Sequence, residues 1–131
     1  MFHHVNFLAC AVAALLTFVV GGPWYSKGVF GARWNREAGL DMNRKGAHPA
    51  IVFGLAYLSA FVAAVVLAAL MGEVPPSVGV HIGFAVGLGI AGASFGINYA
   101  FGGRSIAMWL IDAGYNTLLF VLMAAVIAYW P

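Results

Sequence analysis

Little in this sequence could face water. Only 8% of its 131 residues are charged, against 63% hydrophobic, and mean hydropathy is +0.95. A soluble domain carries about 25% charged residues because its surface has to be solvated. The shortage therefore excludes an ordinary soluble globule and makes lipid the expected solvent. Basic excess is equally scarce: a formal net charge of +2 supplies no positive face of the kind nucleic-acid binding needs. Cys10 is the only cysteine, which excludes an internal disulfide and a thiolate metal cluster. Long polar stretches are missing too, so a soluble catalytic module has no room beside the apolar segments.

What the chain does have is four apolar runs. A hydrocarbon core of about 30 Å is crossed by roughly 20 mostly apolar residues in helical form. Residues 6–25, 49–71, 78–101 and 106–130 each meet that requirement. No strand alternation competes, and an open sheet cannot satisfy its edges in lipid. The expected fold is all-α, a single transmembrane domain over residues 1–131 built as a four-helix bundle. Asn6, Ser77 and Ser105 suit the N-caps of the first, third and fourth helices, and Pro49 suits the first turn of the second. Pro75-Pro76 and Gly102-Gly103 break the chain between spans. The first run reads as a retained span, since no Lys or Arg precedes it as in a signal peptide.

The loops set an orientation. Lys27, Arg33, Arg36, Arg44 and Lys45 lie between the first two runs and Arg104 between the last two, whereas the middle connection carries Glu73 and no cation. The positive-inside rule then places both basic loops in the cytoplasm and both termini outside. Trp24, Tyr25, Trp34, Tyr129 and Trp130 fall where interfacial aromatic belts are expected. Within the first basic loop, Phe30 and Trp34 are one helical turn apart, with Arg33, Arg36 and Glu37 in other directions. That pattern predicts a short helix on the inner leaflet, its rings among the headgroups. Asp41 to Gly46 follows as a polar linker.

Small and polar residues inside the spans carry the remaining information. Gly79, Gly83 and Gly87 lie along one side of the third helix; Ala85, Gly89, Gly92, Gly96 and Ala100 cover another. Small residues let membrane helices approach closely, so this helix is expected to be pressed from two sides and to be central. Asp112 lies about two turns into the fourth helix. A carboxylate exposed to lipid at that depth costs about 3 kcal/mol, so it has to face the interior, be protonated or find a partner. Asn116, Tyr115 and Asn98 are expected to gather around it, with Arg104 reaching inward as its ion pair. Asp112 is then either a strut between helices or a protonatable site for a coupling ion or polar substrate. Beyond Asn116, Leu118 to Met123 offer no continuation of a polar track. His3, His4 and His81 with Glu73 lack the spacing of metal ligands on one helix. No Ser, Cys or His has a base and an orienting partner at interpretable spacing. No metal, cofactor or enzyme chemistry is expected.

Trp24-Tyr25-Ser26, followed by Phe30-Gly31 and Trp34, resembles a small bacterial membrane family catalogued as domain of unknown function 1761. Arg104, then Leu110-Ile111-Asp112-Ala113-Gly114-Tyr115 and the ending Met123 to Trp130, resemble it further, so the likeness covers essentially the whole chain. The resemblance implies four transmembrane helices and no assigned activity. It marks Trp24, Tyr25, Trp34, Arg104, Asp112 and Tyr115 as the positions where the family's pattern concentrates.

The combined expectation is a bacterial inner-membrane protein, a homo-oligomer or a subunit of a membrane complex. Its role is transporter-like or channel-like with a polar site around Asp112; the alternative is a non-catalytic accessory or scaffold subunit.

Overall fold

The computed structural model describes residues 1–39 and 46–131; of the polar linker expected over 41–46, residues 41–45 lie outside the described residues. Every described element is helical. α1 (Phe7–Ala14) and α2 (Leu16–Trp24) form one span through Leu15, whose backbone is itself helical. α3 (Gly31–Ala38) is short, and α4 (Pro49–Met71) is a second span. α5 (Pro76–Val86), a π-helical turn (Gly87–Gly92) and α6 (Ala93–Phe101) run on as a third, and α7 (Ile106–Ala128) is the fourth. Each of the four is long and apolar enough to cross a membrane.

Local chemistry explains the boundaries. Asn6 accepts from Ala9 N at 3.0 Å and Ser105 from Met108 N at 3.1 Å, satisfying amides that the first turn leaves unpaired. Ser77 is not a cap. α5 begins at Pro76 without a side-chain cap, because its N-cap residue is Pro75, whose ring carries no acceptor.

The hub of the bundle is α7, not the third span. It packs against every other helix and against the π turn. The third span meets it along one continuous glycine face. A Cβ on Gly83 would fall 2.5 Å from Ala124 Cβ, on Gly87 2.9 Å from Thr117 Cα, on Gly92 3.3 Å from Ala113 Cβ, and on Gly96 3.1 Å from the Trp109 ring. The spacing along that face is four residues up to Gly87, five to Gly92, then four again. The π turn takes up the extra residue, since each π-helical hydrogen bond spans five residues rather than four. The expectation of two packed sides fails for the same reason. Gly92 and Gly96 rotate onto the face of Gly83 and Gly87, while Ala85, Gly89 and Ala100 are left exposed.

Away from the basic residues, an apolar core joins α1, α4 and α7. Cys10, Leu67 and Met123 are its largest fully buried side chains, with Ala13, Ala64 and Ala124 closing the helices on one another.

Candidate functional site

At the opposite, basic end the chain folds back on itself as it leaves the first span. Phe30 N donates to Trp24 O at 3.1 Å and Gly31 N to Ser26 O at 2.8 Å. Position 31 has to be glycine: a Cβ there would sit 2.1 Å from Tyr25 O, inside any permitted contact. This tight return lays α3 against α7, and Gly39 ends α3 in the left-handed region at φ 67°. Along α3 itself, Arg33 Nε donates to Glu37 Oε1 at 2.7 Å. A hydrogen bond from Ser105, then the Arg33 guanidinium, hold the Glu37 carboxyl below the usual carboxylate range.

The inward side of α3 carries Trp34, which meets Asp112. Asp112 is only 5% exposed. Trp34 Nε1 donates to both of its oxygens, at 2.9 and 3.1 Å. Tyr25 Oη donates to Oδ1 and Tyr99 Oη to Oδ2. Three donor protons thus serve the carboxylate, the indole N–H being shared between its two oxygens. The donors come from the end of the first span, from α3 and from α6, so one side chain on α7 ties three other segments together. Neighbouring contacts brace the cage. Trp24 Nε1 donates to Ile111 O at 2.9 Å, and a Cβ on Gly114 would lie 3.0 Å from the Trp24 ring. Trp109 Nε1 donates to Gly92 O at 2.8 Å, pinning the end of the π turn to α7.

The residues singled out in the sequence distribute unevenly around this cage. Tyr25 and Trp34 are part of it, and Trp24 supports it. Trp34 points into the bundle rather than along an outer aromatic belt. Tyr115 lies beside the cage, its ring 5.2 Å from that of Tyr25, but its hydroxyl donates to Thr17 O at 2.9 Å. Asn116 Nδ2 donates to the backbone of its own helix, Asp112 O, at 2.9 Å. Arg104 does not pair with Asp112. It is exposed and donates through Nη1 to Ala38 O at 3.1 Å, since it precedes α7, which begins only at Ile106, while Asp112 lies well inside that helix and α3 provides an acceptor close by. Arg36 is exposed, and so is Asn98; neither belongs to the cage.

Tyr99 stands where Asn98 was expected, and the sequence reading missed it. The extra residue of the π turn advances α6 by one position, so Tyr99 takes the place of Asn98. The signal was present in the widened interval between Gly87 and Gly92.

Chemically, the cage holds a carboxyl group that is 5% exposed and whose two oxygens both accept from the cage, while the nearest cavity, about 470 Å³, is lined by Tyr99 and not by Asp112.

The family model described as protein of unknown function (DUF1761) matches residues 8–128. Comparison with curated proteins and with solved structures found no match.

Proposed function

We propose, for a chain that belongs to the DUF1761 family and inherits no activity from it, a non-catalytic accessory or scaffold role in the bacterial inner membrane. The four apolar helices fit a bilayer, and the basic loops favour a cytoplasmic position for the end that carries the cage. One observation carries this reading: Asp112, the only acidic residue within the four spans, is spent on holding segments together. A transport site has to open to at least one side, and this carboxyl is enclosed by Tyr25, Trp34 and Tyr99. The cage fixes α3 and its exposed Arg33 and Arg36 at the inner surface, where a homo-oligomeric contact or another membrane subunit can engage a rigid basic helix.

Proteoliposomes carrying wild-type protein or Asp112→Asn, loaded with a pH-sensitive dye, test the reading. Asparagine turns half of the acceptor toward donors that need to donate. Proton flux is expected to equal that of empty vesicles for both proteins, while amide hydrogen exchange over residues 26–39 rises in the variant. Flux through wild-type protein that Asp112→Asn abolishes would overturn the scaffold role and restore the transport reading.

A further inference from the structure

A second polar feature lies halfway along the bundle, away from the Asp112 cage. A cavity of about 350 Å³ opens among the first span, α4, the π turn and α7, with Thr17, Ser59, Tyr115 and Asn116 as its polar lining. Ser59 is the eleventh residue of the 23-residue α4 and Asn116 the eleventh of the 23-residue α7, so both sit at mid-span. The space exists because α4 presents only small side chains there, Ala56, Ser59, Ala60 and Ala63, while the third span contributes Ala91.

Two of the four polar side chains satisfy each other. Thr17 Oγ1 lies 2.6 Å from Tyr115 Oη, and that phenol also donates to Thr17 O. The other two retain capacity. Asn116, which lines the cavity, spends its Nδ2 on Asp112 O, an acceptor that fixes the amide's orientation and leaves Oδ1 without a donor among the described residues. Ser59 is exposed, and its hydroxyl has no partner among the described residues. At mid-bilayer depth no bulk water is available to satisfy such groups, and unpaired polar atoms there are costly.

We propose that this cavity is a binding site for a neutral, lipid-soluble alcohol entering from the bilayer. Its hydroxyl donates to Asn116 Oδ1 and accepts from Ser59, and its hydrocarbon body lies against Ala56, Ala60 and Ala63. No charged side chain lines the cavity, which excludes an ionic headgroup. The alanine wall admits a chain and offers it only dispersion contacts. The site is separate from the cage, so it stands whether or not the scaffold reading does.

Photolabelling in lipid nanodiscs tests the assignment, with a diazirine-bearing dodecanol as probe and the matching diazirine dodecane as control. The alcohol is expected to label residues around the cavity, Met123 and Phe120 among them, in competition with unlabelled decanol. The alkane is expected to label the exposed lipid-facing residues without that preference. Losing one hydrogen bond corresponds to about a fivefold weaker affinity, so Ser59→Ala should reduce cavity labelling by that factor. Ala56→Phe, which fills the space without touching a polar group, should abolish it while leaving the far-UV circular dichroism spectrum unchanged. Equal labelling by alcohol and alkane, or cavity labelling that survives Ala56→Phe, would overturn the proposal.

Discussion

A single carboxyl group surrounded by neutral donors makes its neighbours unequal in what their loss costs. Tyr99→Phe removes one donor and leaves Asp112 with Tyr25 and Trp34, so about 1 kcal/mol should be lost. Asp112→Ala leaves two phenols and an indole N–H without an acceptor, and the loss should reach roughly 3 kcal/mol or more. SDS titration in mixed micelles would measure both, and near-equal costs for the two variants would refute the shared-acceptor arrangement. Asp112 was legible because a carboxylate inside an apolar run has to be answered by something. Tyr25 and Trp34 were legible as positions in a family pattern, though not as donors. Arg104 was misassigned because opposite charge is the obvious partner in sequence. Three neutral donors already in place serve the carboxyl without bringing a guanidinium into lipid.

Among the elements, the third span shows how one residue of phase governs a helix. Its glycines were all visible in the sequence, and so was their capacity for close packing. Their arrangement was not, because a strict α-helical count sends Gly92 and Gly96 to a different side from Gly83 and Gly87. Inserting one alanine after Gly89 would add a residue that the π turn cannot take up. It would rotate everything beyond by about 100°, carrying Gly92, Gly96 and Tyr99 away from α7. Gly89→Ala is the control, since a Cβ there meets nothing within 4 Å. Hydrogen exchange over residues 93–105 should increase sharply for the insertion and remain unchanged for the substitution. The boundaries of α4 and the start of α7 were readable to the residue, because Pro49 and Ser105 act locally. The π turn came from packing against α7, which is a tertiary cause.

For the molecule as a whole, the two ends are held by different physics. Cys10, Leu67 and Met123 lock one end by close packing, and the Asp112 cage locks the other by hydrogen bonds. Both locks need α7, and so does the glycine face between them. That dependence has a temporal side, because α7 is the last of the four spans to leave the ribosome. Until it arrives, Tyr25, Trp34 and Tyr99 have no acceptor, and the glycine face of the third span has nothing to close on. The earlier spans are thus expected to wait in the bilayer as separate helices. A nascent chain arrested before Ile106 should expose residues 26–39 to protease, whereas release of the full chain should protect them. Protection before α7 is made would show that the earlier spans assemble unaided. In biosynthetic terms the final helix is a closing signal: the protein reaches its folded form in one late step, and a chain that loses this helix is left open to quality control along its whole length.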